Sequence, residues 1–138
     1  MTAQTGKLTK ANSKALVGFM HSFHDNLVAH VQEVGGSVQV LADGEIDVTL
    51  NFYREEDWFR VGYLMMANQD LSTSFITRYN TLMKTGQMPA SDKENFDQCW
   101  KDTKGLINKI GDKFTAGGNV NKFLANPRKH GNLVPRLI

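Results

Sequence analysis

One cysteine in 138 residues, Cys99, leaves no internal disulfide framework to build, and a chain without one suits a reducing compartment. No apolar run approaches the ~18 residues that a membrane span needs. The stretch from Met1 to Lys14 is polar, carries Lys7, Lys10 and Lys14, and has no apolar centre, so it lacks the form of a secretory signal. These absences predict a soluble, cytoplasmic protein without a membrane partner. No Cys or His pair has metal-ligand spacing, and Gly117-Gly118 lacks the Lys-Ser/Thr sequel of a phosphate loop. The chain is therefore expected to need no cofactor and no metal, and to carry no catalytic residue.

The last twenty-three residues, from Ala116 to Ile138, contain no acid at all. They hold Lys122, Arg128, Lys129 and Arg136, interleaved with Val120, Phe123, Leu124, Leu133, Val134, Leu137 and Ile138. Broken by Gly117, Gly118, Pro127, Gly131 and Pro135, this segment cannot fold a core of its own, yet it is too apolar for a solvated tail. It reads as an extended basic docking arm, residues 116–138, on a single globular domain, residues 1–115. A chain of this length buries roughly 68% of its unfolded surface and is stable without staples. Elsewhere the charge is uneven: residues 35–70 carry two cations against seven acids, whereas residues 1–34 carry three against two and residues 71–115 seven against five. The basic ends of one copy can meet the acidic middle of another, or a polyanion.

Hydrophobic spacing predicts the body. Leu16, Met20, Phe23, Leu27, His30 and Val34 form a helical stripe that Thr9 or Asn12 caps and Gly35-Gly36 ends. Val38 and Val40, then Ile46, Val48, Leu50 and Phe52, alternate with polar residues about Ala42-Asp43-Gly44. A three-residue loop with Gly44 left-handed pairs Leu41 with Glu45, Val40 with Ile46 and Val38 with Val48, placing the apolar residues on one face. Trp58 to Met66 is rich in strand formers and holds Gly62, so it reads as a third strand, joined by a turn at Arg54-Glu55-Glu56-Asp57. A helix through it would put Asn68 and Ser72 in the apolar arc, where a polar group needs a partner. Asp70 then caps a helix ended by Gly86 and Pro89. Ser91 or Asp92 caps another with Phe96, Trp100, Thr103, Ile107, Ile110 and Phe114 inward. The predicted fold is α+β: an N-terminal helix, a three-stranded antiparallel meander, two C-terminal helices and the arm.

Few side chains suggest chemistry. His21, His24 and Asp25 share a helix surface, but a metal would need further ligands that no motif supplies. His30 falls in the apolar stripe, where a histidine finds backbone or hydroxyl partners. Cys99 reads as a small buried hydrophobe and Glu55, Glu56 and Asp57 as a solvated turn. Tyr53 and Trp58, with Arg60, would form an outward aromatic pair across two strands, a platform for bases or protein. The order helix, three strands, helix resembles that of the double-stranded RNA-binding module, whose second helix begins with lysines. Here Asn68-Gln69-Asp70-Leu71-Ser72 has no cation before Arg78, so the likeness stops at element order and implies no family.

The favoured expectation is a non-enzymatic assembly or partner-binding protein, a homo-oligomer or viral-type structural subunit. Phe123, Leu124, Leu133, Val134, Leu137 and Ile138 would clasp a neighbouring copy or another protein. The alternative is nucleic-acid binding through Lys7, Lys10, Lys14, Lys122, Arg128, Lys129 and Arg136. A small enzyme ranks third.

Overall fold

The computed structural model describes residues 2–117, 119–125 and 131–138, with the side chains of 2–5 and 119 left aside. A short helix, α1 (Thr2–Lys10), comes first and is followed by the longer α2 (Ser13–Glu33). Asn12 is the cap between them, its side-chain oxygen accepting from the Ala15 N–H at 2.8 Å. At the other end Gly35, at φ 73°, closes α2: Gly36 N–H reaches the Val31 carbonyl at 3.0 Å and Gly35 N–H that of Gln32 at 3.0 Å. This is the paired bonding of a Schellman ending, which an L side chain would strain.

The hairpin β1 (Ser37–Val40) and β2 (Ile46–Thr49) has the register expected from the alternation, Val38 opposite Val48 and Val40 opposite Ile46. Leu41 N–H donates to the Glu45 carbonyl at 2.8 Å, and Gly44 takes φ 85°. Val48 is buried and Ile46 half-buried against the next long helices.

The third strand and its turn are not formed. Residues Glu55–Lys84 are one helix of 30 residues, α3, and the sheet has two strands. The cause lies at its start, where Asp57, 3% exposed, accepts from the backbone N–H of Arg54 at 3.1 Å and from its guanidinium at 3.2 Å. That is the reach-back half of a capping box, and with Glu55 and Glu56 it places three acids on the positive end of the helix. The supposed solvated turn is thus a helix start with a buried carboxylate. Asp70 is an interior position of the same helix, not a cap. Its end is again a Schellman pair, with Gly86 at φ 69° and Gln87 N–H bonded to the Leu82 carbonyl.

Helix α4 (Ala90–Ala116) starts from Pro89, so Ser91 and Asp92 lie inside its first turn. Ser13 meets Met88 and Asp92, and His21 meets Asn95, so α4 runs alongside α2 in the same direction. Met65 lies beside Gly111, and Phe75 and Tyr79 beside Phe96, so α3 is antiparallel to α4. The body is a mostly helical three-helix bundle within the α+β class. The hairpin covers α4 near Gly105, and α1 covers the far end of α3, where the Arg78 side chain donates to the Ala11 carbonyl at 2.6 Å. Phe23 and Phe75 stack at 5.4 Å in the centre, and Phe96 joins them to Tyr79 at 4.6 Å. Every helix of the body packs on α3, which is why so broad an arc of it is buried.

Candidate partner-binding surface

The C-terminal segment is neither fully extended nor free. It forms α5 (Asn119–Ala125) and a single 3-10 turn, Gly131–Leu133, followed by five residues without regular structure. Phe123 is buried at the start of α3, its ring 5.7 Å from that of Phe59 and edge-on to Tyr63 at 5.1 Å. The notch that receives it is Gly62, because a Cβ there would collide with the Phe123 ring. The glycine that argued for a strand is a helical residue that admits a ring from sixty-one positions further on.

Beyond α5, Leu137 is fully buried, and the backbone beside it is gripped by α2. Asn26 donates to the Leu137 carbonyl at 2.8 Å, and His30 Nε2 to the Arg136 carbonyl at 3.0 Å. The expectation that His30 finds a backbone partner holds, although it flanks the apolar stripe and Val31 is the buried residue. Its Nδ1 lies 3.3 Å from Glu33, which also meets Arg60 at 3.6 Å. Between this segment and the helices is a cavity of about 120 Å³ bounded by His30, Glu33, Arg60, Asn132 and Arg136. It is well below the few hundred Å³ of an ordinary ligand pocket.

Of the six residues expected to clasp a neighbour, Phe123 and Leu137 are therefore buried on their own body, and Leu133 and Ile138 are half-buried on it. Leu124 and Val134 point outward, 64% and 44% exposed. The arm lies against its own globule, so its apolar content is mostly satisfied within one chain. The sequence carried one signal of this arrangement, a glycine at position 62 within an apolar stretch, whereas Asn26 and His30 act on backbone carbonyls and leave no pattern to read.

The basic residues fall into two groups. Lys7 and Lys10 end α1, beside Arg78, and Lys14 begins α2; all three are exposed. Lys122 and Arg136, also exposed, lie near Trp58 and His30 at the opposite end of α3. From Gly62 to Arg78 is sixteen residues of helix, roughly 24 Å. That exceeds the ~8 Å screening length at physiological salt, so the groups act as two patches. Arg128 and Lys129 lie outside the described residues.

The remaining candidates resolve simply. Tyr53 is 84% exposed, but Trp58, on α3, is half-buried under the Lys122 ammonium, which sits 3.5 Å from the ring centre, so no cross-strand aromatic pair exists. His21 bonds Asn95 at 2.7 Å, and His24 lies 3.6 Å from Asp25. Among the described residues no group of three or more His, Cys, Asp or Glu could hold a metal ion. Cys99 is buried, and burial pushes its thiol up, away from the thiolate a nucleophile needs. Tyr79, Lys93 and Asp97 form a small ionic cluster. Burial raises the Asp97 carboxyl, but hydrogen bonds from Lys93 and Tyr79 outweigh it and leave the group below its ordinary value. Among the described residues no helix is long and apolar enough to cross a membrane. The chain matches no protein-family model, no curated protein and no solved structure.

Proposed function

We propose that the protein is a non-enzymatic assembly or partner-binding subunit, of the kind that builds a homo-oligomer or a viral-type particle, and that its C-terminal segment makes the contact. The observation that carries this reading is the two-sided build of the segment. Phe123 is 4% exposed and the adjacent Leu124 64% exposed, and the same alternation recurs in Leu137, fully buried, and Val134, 44% exposed. One side anchors and the other offers leucine and valine to a second surface. The anchors also suit exchange between copies, since a notch at Gly62 and donors on Asn26 and His30 would receive a neighbour's segment as they receive their own. A double substitution, Leu124→Ser with Val134→Ser, is expected to lower the assembled mass in sedimentation while leaving the helical circular dichroism intact. Unchanged mass would defeat the reading.

A second reading, nucleic-acid binding, is favoured by one observation: among the described residues, Lys7, Lys10, Lys14 and Arg136 form no ion pair with an acid. Replacing Lys7, Lys10 and Lys14 together by Ala should lower affinity for unrelated sequences about equally and reduce the salt slope, because each phosphate contact releases a counterion. Absence of binding at low salt removes it.

A further inference from the structure

We propose that the free edge of β1 is a homotypic docking site, where two copies pair antiparallel about Gln39 to form a four-stranded sheet. It uses no residue of the C-terminal segment, so it stands apart from the contact proposed above.

The ladder fixes which groups face outward. The bond from Leu41 N–H to the Glu45 carbonyl makes that pair a hydrogen-bonded one, and in an antiparallel ladder such pairs alternate. With the observed register, Gln39 bonds with Asp47 and Ser37 with Thr49. Val38 and Val40 therefore turn their N–H and C=O groups away from β2. Among the described residues, no backbone or side-chain bond outside the strands meets them.

Natural sheets guard such an edge with charge, proline or a bulge. Residues 37–41, Ser-Val-Gln-Val-Leu, have none of these, and Val40 and Leu41 are 74% and 43% exposed. The hairpin's other strand is guarded: Asp47 sits in its middle, and Asp43 and Glu45 precede it.

The occupant that fits is a second β1. A two-fold axis at Gln39 sets Val38 of each copy opposite Val40 of the other as doubly bonded pairs, which satisfies all the outward groups of both residues with four hydrogen bonds. Gln39 then faces itself, and a carboxamide, with donor and acceptor together, is its own complement. The exposed Val40 is covered by a valine on the same face of the sheet. Repulsion is small because the two Asp47 residues end three strand spacings apart, roughly 14 Å, beyond the screening length.

The pairing is tested by Gln39→Cys and Ser37→Cys in the full chain under mild oxidation. Position 39 faces its own copy at a Cα separation of about 4.5 Å, within disulfide range, whereas position 37 does not face itself. A covalent dimer from Gln39→Cys alone is the expected result; Cys99 is buried and takes no part. No dimer, or equal dimer from both positions, overturns the proposal. Val40→Pro supplies a second reading, since its N–H is not used within the hairpin and an edge tolerates proline there. Circular dichroism should be unchanged, and adding Val40→Pro to Gln39→Cys should abolish the disulfide dimer. A Gln39→Cys disulfide dimer that survives Val40→Pro, or that requires an added basic peptide strand, also overturns it.

Discussion

Phe75, a buried residue of α3, and Phe123, buried against the start of that helix, lie about 20 Å apart along its axis and are held in different ways. Phe75 lies between α2 and α4, stacked on Phe23 at 5.4 Å and tilted against Phe96 at 6.4 Å, all of it supplied by helices of twenty or more residues. Phe123 comes from a helix of seven residues and fits because Gly62 leaves it space. The far end of α3 is thus closed by the body's own regular elements. The near end is closed by a segment brought back from the chain terminus, and short helices have little stability without such packing. Opening of the near end should be local, while opening of the far end should be global unfolding.

The largest effect should come from the far end. Phe75→Ala is expected to cost about 4 kcal/mol in chemical denaturation, the sum of lost burial and a cavity that the two flanking helices cannot close. A loss no greater than that of Phe123→Ala would show that the two ends do not differ. Val48→Asp should follow at about 3 kcal/mol, because a carboxylate would replace a side chain 1% exposed. Its neighbour Asp47→Val, on the solvent face, should leave stability nearly unchanged; equal sensitivity of the two would refute the face assignment.

Gly62→Ala sharpens the contrast by its sign. With Phe123 present the new methyl group lifts the ring, and a loss of about 2 kcal/mol is expected, with faster amide exchange in α5 and not around Phe75. In a Phe123→Ala background the same change should stabilise by up to about 1 kcal/mol, since alanine is the better helix former. Additive losses in the double variant would mean that the notch and the ring do not interact.

What could be read from the residues divides along the same line. The hairpin register, the Asn12 cap and the Gly35 ending follow from neighbours in sequence, and those expectations agree with the structure. Trp58 to Met66 reads as a strand because its local signals, aromatic and branched residues about Gly62, are those of one, yet it is helix. One deciding fact is local, the Asp57 carboxylate that reaches back to Arg54 and caps the helix start; the other is tertiary, the ring from α5 that Gly62 receives. Leu124 and Val134 were legible as apolar but not as outward, because that depends on which side of the segment lies on the body.

Asn68 sits between the two ends of α3 and offers the smallest change. A helix through this region was expected to put Asn68 and Ser72 in the apolar arc, and Asn68 is indeed 1% exposed. Among the described residues its Oδ1 has no hydrogen-bond partner, and its Nδ2 reaches only the Met65 sulfur at 4.0 Å. A buried carbonyl oxygen without a donor destabilises, so Asn68→Leu should raise the denaturation free energy by about 1 kcal/mol. Because the gain lies in the shared middle of the helix, amide protection should rise around Phe75 while the protection of α5 relative to the body stays as it was. A fall in stability would mean that Asn68 is satisfied by a bound water, and its carboxamide would then be part of the packing that holds the two ends of α3 together.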